Sequence, residues 1–590
     1  LPWPSSTFTR ADPSSATGLR LAVEASSLFS SGDDPATLNL ADGFSRVTPL
    51  ATMFPGEVAP VPDALDGRGP IRLLLAQHDA ADRGRAIPLR FQVSTGSTDD
   101  EVLLESLVLA FPLEQLAPAS DYVVFVLDEL PSSIPQTAPR SVRLSLGLEA
   151  PQDQQEAELQ AYHAPTRALL AGASVDLNRV TRVWNFTTRS EEDPKRRLRA
   201  MREATAAAVA EGRATVAIEK MEVRSEGPVA AVVEGKIKGL PLFVEETEGA
   251  GLKLGASGEP EALRDHDAPF RVTLPAGQGS YRVVLFGHGT GGSYRNNDFD
   301  GDLAEAGVSK VSMQFYGWTD DEVIDTFSGF SRIAVGSHHS TARLMQAIAD
   351  GAAIEEALRG PLGSALEGAE LAGQPNPAAG RKMDASVPVW LGGSLGGTMG
   401  ALYTGSAPRR FAGVFNVGGA AWTHFIPSSL PFTLVNLLLK SQFGGDLNVL
   451  AALATTQGTW DEIDGATWSR ELSAPGQAFL IQESMGDPVL PNPGTEALAR
   501  VTAAVLVGQP LQAVPGVSSA ASVAGASALT QYRVASEDSS AIHGFAARNE
   551  PAGKAAREQI FAFLTSVWAG APVITVPASC PEQRCDFSAP

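Results

Sequence analysis

The chain has 590 residues, 44% of them hydrophobic and 19% charged, and carries a formal net charge of −22. That length exceeds what one core ordinarily fills, so two or three domains are expected, and the apolar fraction excludes a disordered chain. So strong a negative charge repels phosphate backbones and argues against nucleic acid as a partner. As a statement about the substrate it is silent.

The chain opens LPWPSS, without Met and without a signal-like apolar run. No apolar stretch is long enough to span a membrane. This reads as a trimmed, exported protein at the cell surface or beyond it, with a lipid anchor ahead of Leu1 left open. Residues 1–150 are rich in Pro, Ser, Gly and Asp, broken by apolar runs such as IRLLLAQ, IPLRFQV, ESLVLAF and YVVFVLDEL. Strands separated by turns, packed as a small β-sandwich, are expected there. This front region resembles the immunoglobulin-like modules of bacterial secreted proteins.

Over 151–269 the pattern changes to two helical segments flanking the strand VTRVWNFTTRS, followed by TVAIEKMEV and AAVVEGKIKGLPLFV as strands of a connecting platform. The boundary with the next domain is expected near Gly249 to Gly258. From 270 to 572 apolar strands alternate with helical stretches: YRVVLFGHG, VSKVSMQF, VPVWLGGS, FAGVFNVGG, QAFLIQESMGD and TQYRVAS. That alternation predicts an α/β fold, a mostly parallel sheet with helices on both faces. The tail 573–590 holds the only two cysteines, Cys580 and Cys585, expected to form a small disulfide in an oxidising compartment.

The chemistry concentrates in the third region. VPVWLGGSLGGTMGALYTG places Gly392, Ser394, Leu395 and Gly396 in a G-x-S-x-G pattern between an apolar strand and a small-residue helix. This is the context of a nucleophile elbow, whose glycines let strand and helix approach without Cβ clashes. FGHGTGGS closes an earlier strand, and there the Thr290 N–H is the expected oxyanion donor, paired with the Leu395 N–H. His288 is assigned to loop architecture. Asp487 follows the strand QAFLIQES, and His543 lies in a loop before the last helix. The order Ser394, Asp487, His543 suits nucleophile, acid and base, with His543 moving the proton and Asp487 fixing its tautomer. Glu483 and Asp538 are rival acids. His338 and His339 are rival histidines expected to cap or pack, and His424 lies in the expected cap region.

On these motifs, over Phe270 to Pro572, the chain resembles bacterial secreted lipases and esterases of the α/β-hydrolase superfamily. More loosely, the β-rich front, the helical linker and TGLRL at Thr17 to Leu21 resemble the N-terminal regions of virulence-factor-type lipases. The resemblance implies a serine carboxylic ester hydrolase acting through an acyl-enzyme on apolar acyl esters: small molecules, lipids or polyesters. A serine peptidase of the same fold, and a catalytically inactive surface binding protein, stay open as alternatives.

An insertion at about 420–476 is expected as a cap. Its run Leu434 to Leu439 would line an acyl pocket or meet a lipid interface, ordinary helical core being the other reading. NNDFDGDLAEAG sets Asn296, Asp298 and Asp300 at alternate positions like half a calcium loop, but the twelfth position is Gly307 rather than Glu. No cofactor is expected, calcium at that loop being the one exception to test.

Overall fold

A computed structural model describes residues 2–30, 32–97, 104–245 and 251–588. The chain divides into two compact units. The first is Leu1–Pro194 with Ser331–Ala334 and Leu434–Thr459; the second is Lys195–Phe330, Val335–Thr433 and Trp460–Pro590.

In the first unit lie strands β1 (Leu50–Pro55), β2 (Ile71–Leu75), β3 (Leu89–Ser97), β4 (Leu104–Pro112), β5 (Asp121–Leu127) and β6 (Val180–Thr187). They form two antiparallel three-stranded sheets, ordered β1-β4-β3 and β2-β5-β6. The two-residue side-chain period of β5 explains how its sheet is covered on both faces. Tyr122, Val124 and Val126 enter the main core with Leu73, Leu75 and Leu109, while Val123, Phe125 and Leu127 meet Leu146, Leu169 and Leu170. Fully burying each such side chain contributes about 1.5–3 kcal/mol.

Three features differ from the sequence expectation. The strand around Trp184 pairs with β5 from Asp121↔Thr187 to Leu127↔Val180, so this unit runs to Pro194 rather than to residue 150. The described residues of this unit show two sheets of three strands and a small two-stranded one, Thr9–Ala11 with Leu19–Leu21, not the four-plus-three order of an immunoglobulin constant-type domain. The helix Asp446–Thr455, assigned from sequence to the cap, buries Leu447, Ala451 and Ala454 in the same core. Its apolar side completes the β-rich unit.

The second unit is built on a 13-stranded mixed sheet. Its main strands are β7 (Thr215–Val223), β8 (Val229–Leu242), β9 (Arg264–Pro275), β10 (Tyr281–Gly287), β11 (Val308–Met313), β12 (Val389–Gly393), β13 (Ala412–Asn416), β14 (Ala478–Ser484), β15 (Val505–Val507) and β16 (Ala528–Arg533). The order across the sheet is Ser519–Ala520, β15, β16, β14, β13, β12, β10, β11, β9, β8, β7. Neighbours from Ser519–Ala520 through β11 run parallel, and β9, β8 and β7 join antiparallel. The platform strands therefore extend this sheet instead of linking two domains. The expected boundary at Gly249 to Gly258, whose first two residues lie outside the described ones, falls in the connection between β8 and β9.

Strand alternation again decides what covers each face. Val284, Phe286, Val389, Leu391, Val414 and Leu480 pack against Ile560, Phe563 and Leu564 of the helix Pro551–Trp568. Pointing the other way, Trp390 stacks on Tyr403 at 4.8 Å and Phe415 on Phe479 at 5.0 Å. At the far edge, β7 presents Glu219, Lys220 and Glu222 to solvent. Cys580 and Cys585 form the disulfide, and Cys585–Asp586 pairs in parallel with Tyr532 and Arg533 of β16. No helix among the described residues is long and apolar enough to cross a membrane.

Candidate active site

Ser394 sits where β12 turns into helix α1 (Leu395–Gly405), with φ 58° and ψ −126°. Such a backbone is rare for a residue with a Cβ and costs about 1–3 kcal/mol, so its surroundings must enforce it. They do so with hydrogen bonds and close backbone packing. Ser394 N–H donates to Asn416 C=O at 2.9 Å, and Gly397 and Thr398 N–H donate to Ser394 C=O at 2.9 and 3.0 Å. A Cβ on Gly392 would run into the carbonyl of Gly396, and one on Gly396 into the carbonyl of Gly287. The two glycines are needed because backbone passes directly against backbone.

The carbonyl of Gly287 ends β10, and the loop beyond it passes Ser394. A Cβ built on Gly289 would lie 3.5 Å from Ser394 Cβ and 3.9 Å from its Oγ. His288 shapes this loop: its Nε2 accepts from Phe315 N–H at 3.0 Å, which leaves Nδ1 to donate to Gly289 C=O at 2.8 Å. Burial pushes its pKa down to about 4, and with both ring nitrogens engaged it holds a single neutral tautomer. Gly291 N–H is taken by Trp318 C=O and Gly292 N–H by Gly289 C=O, whereas Thr290 N–H has no acceptor among the described residues. Leu395 is the first residue of α1, so its N–H is without an intrahelical acceptor.

Asp487 and His543 meet from different strands. Asp487 follows β14, and His543 ends the short helix α2 (Ser539–His543) that follows β16, the strand next to β14. His543 Nδ1 donates to Asp487 Oδ2 at 2.6 Å, while Asp487 Oδ1 accepts from Val489 and Leu490 N–H at 2.8 and 3.2 Å. His543 Nε2 is buried with no hydrogen-bond partner among the described residues, so a bond to Ser394 Oγ is not formed in this structure. All three residues follow the carboxyl ends of parallel strands, β12, β14 and β16. An imidazole with one nitrogen fixed on a carboxylate and the other uncommitted is able to accept a proton there.

Two further residues support this pair and were not singled out from sequence. Ser484 Oγ donates to Ile542 C=O at 2.8 Å, one residue before His543. Asn492 accepts from Gly486 N–H at 2.8 Å and donates to Ser484 C=O at 2.8 Å and Glu483 Oε1 at 3.0 Å, clamping the turn before Asp487. In sequence Asn492 looks like a helix-start residue, and only the fold shows what it holds.

The rival acids have other partners. Glu483 is fully buried and accepts from Asn492 and from Gln531 Nε2 at 3.0 Å; burial, and then the charge of Glu496, push its pKa up to about 8. Asp538 is exposed and caps α2 by accepting from Ser540 N–H at 2.8 Å. His338 is buried on the helix Ile333–Arg359, beside Gly251, with its pKa lowered by that burial, and His424 is buried in a short turn.

The acidic loop considered for calcium is engaged by the chain's own cations. Lys310 Nζ donates to Asn296 C=O at 2.9 Å and Asp298 C=O at 2.7 Å, and pairs with Asp300 Oδ1 at 2.5 Å. Arg271 takes Asp300 Oδ2 at 2.6 Å. Lys310 thus engages one of the three candidate side chains, Asp300, together with the backbone carbonyls rather than the side chains of Asn296 and Asp298.

No family model matches the chain, and no curated protein matches it. Among solved structures it is similar to acetyl xylan esterase 1 from Thermoanaerobacterium sp. JW/SL YS485, at 10% identity over 57% of this chain and 86% of that one, with a TM-score of 0.33. It is similar to the acetyl xylan esterase from Paenibacillus sp. R4 at 13% identity, over 62% and 93% of the two chains, with a TM-score of 0.32. The uncomplexed acylaminoacyl peptidase of Pyrococcus horikoshii matches at 14% identity over 57% and 48%, with a TM-score of 0.31. Likeness at this level assigns neither activity nor substrate.

Proposed function

We propose that the chain is a serine hydrolase of the α/β-hydrolase type that cleaves carboxylic esters through an acyl-enzyme. The observation that carries this reading is the strained Ser394 elbow at the same carboxyl end of the parallel strands as the 2.6 Å His543–Asp487 pair. In the reaction His543 Nε2 takes the Ser394 hydroxyl proton as Oγ attacks the carbonyl carbon. Asp487 stabilises the imidazolium, and the N–H groups of Thr290 and Leu395 hold the oxyanion. The proton then passes to the departing alcohol, and water, activated by the same histidine, releases the acid. The tail disulfide supports an oxidising, extracellular or periplasmic setting. The front region's likeness to virulence-type lipases belongs to this same proposal.

The test is hydrolysis of p-nitrophenyl esters from acetate to palmitate by the wild type and by Ser394→Ala of equal melting temperature. Turnover lost in the variant supports the nucleophile, and the chain-length profile separates esterase from lipase. Peptide anilide turnover without ester turnover would make the chain a peptidase. A folded protein in which Ser394 resists a fluorophosphonate would leave the binding-protein reading.

A further inference from the structure

Thr290, the candidate oxyanion donor, lies in a loop that one neighbouring segment pins on both sides. Upstream, His288 Nε2 accepts from Phe315 N–H at 3.0 Å. Downstream, Gly291 N–H donates to Trp318 C=O at 2.8 Å, and Gly292 forms a parallel bridge with Thr319. Just beyond, Tyr294 N–H donates to Gln314 Oε1 at 2.9 Å. The place of the Thr290 N–H is therefore set by residues 314–319, which follow β11.

That segment is a tight turn. Trp318 N–H returns to Phe315 C=O at 3.2 Å, and Gly317, with φ 81°, takes the third position, where a turn of this kind calls for glycine. Gly317 N–H donates to Glu322 Oε2 at 2.8 Å, and Thr326 Oγ1 donates to Gly317 C=O at 2.5 Å. These two ties are local in sequence.

Two others reach the helix Ile333–Arg359. Trp318 Nε1 donates to Ser340 Oγ at 3.2 Å, and Tyr316 Oη donates to Asp350 Oδ2 at 2.9 Å. The second ends on a carboxylate and is the stronger kind of bond. Asp350 is only 2% exposed and is itself held, because its Oδ1 accepts from Gln346 Nε2 at 2.9 Å and from His266 Nε2, on β9, at 3.1 Å. We propose that Tyr316 is a positioning residue for the oxyanion site: bonded to Asp350, it fixes the turn that sets the Thr290 N–H. The assignment rests on the serine-hydrolase reading and gives Tyr316 a role through Thr290 rather than on substrate.

Tyr316→Phe keeps the ring and removes the hydroxyl, and the full chain is assayed on whichever p-nitrophenyl ester or peptide anilide the wild type cleaves fastest. The variant's kcat is expected to fall about tenfold with KM within about twofold, since a misplaced donor weakens only the charge that develops in the transition state. A trifluoromethyl ketone takes Ser394 Oγ on its carbonyl carbon and leaves an oxyanion, so its inhibition constant should rise by the same factor. The corresponding trifluoromethyl alcohol forms no oxyanion and should bind both proteins alike. Asp350→Asn trades a charged acceptor for a neutral one and should show the same split to a smaller extent; it decides should Tyr316→Phe not fold. An unchanged kcat, a loss confined to KM, or ketone and alcohol affinities that fall together would overturn the role of Tyr316 and leave the hydrolase reading standing. A wild type that cleaves neither substrate class and resists a fluorophosphonate would overturn both.

Discussion

The hydroxyl of Ser484 donates to the carbonyl of Ile542 at 2.8 Å, so the strand that ends in the Asp487 turn also holds the turn that carries His543. The bond sets where the imidazole stands without touching substrate. Ser484→Ala is expected to lower kcat for a p-nitrophenyl ester about tenfold with KM little changed, since small misplacements cost rate more than binding. Steady-state kinetics beside a melting curve check this. A KM effect with normal kcat would remove Ser484 from the positioning role.

Gly396 is expected to tolerate no side chain. Its Cβ would meet the Gly287 carbonyl, which β10 and its parallel partners hold in place, so Gly396→Ala should cost about 3 kcal/mol or more. Gly301, where an added Cβ meets nothing within 4 Å, is the control, and Gly301→Ala should stay within about 0.5 kcal/mol. Denaturant melts of the two variants provide the comparison.

Glu483 gives a pH dependence whose sign can be worked out. Its pKa rises from 4.5 to about 8 on folding, so between those values the folded chain binds the proton that the unfolded chain has released. Stability from this group is present below about pH 4.5 and is lost as pH rises toward 8, by up to about 1.4 kcal/mol per pH unit. Two amide donors, Asn492 and Gln531, oppose the shift but do not cancel it, because burial and Glu496 outweigh them. Glu483→Gln removes the titration whatever constant offset it adds. Its melting temperature relative to wild type should climb from pH 5 to pH 8, and a flat difference would show that Glu483 ionises normally.

Chelation should leave the protein unchanged. With Lys310 among Asn296, Asp298 and Asp300, EDTA is expected not to move the melting temperature, nor added calcium to raise it. Lys310→Met should destabilise by on the order of 3 kcal/mol, since it strips a buried partner from Asp300 and two carbonyls. A calcium-dependent rise in the wild type would contradict the role given to Lys310.

The sequence made some of these features legible and hid others for a physical reason. Gly392, Ser394 and Gly396 are neighbours in the chain, and their constraint is local: a strand must turn into a helix at close quarters. Asp487 and His543 were readable from their order and their positions after apolar strands, although nothing local says that one bonds the other. Lys310 pairing with Asp300, Ser484 holding Ile542, and Tyr316 bonded to Asp350 are contacts that only the fold creates, and no spacing rule encodes them. The same holds for β6. Its apolar pattern marks a strand, but only pairing with β5 assigns it to the front unit rather than to a linker. The helix Asp446–Thr455 likewise reads as apolar, while the core it completes belongs to strands more than three hundred residues earlier.

The wide mixed sheet has two ends, and each is built to refuse a partner. At one end stands the two-residue strand Ser519–Ala520, too short to template another chain. At the other, β7 sets Glu219, Lys220 and Glu222 along its exposed length, so a second copy approaching edge to edge would have to strip charged side chains of water. Resistance to edge pairing therefore rests on a few residues remote from the candidate site. Replacing those three charges with threonine would turn the same strand into a seed for aggregation.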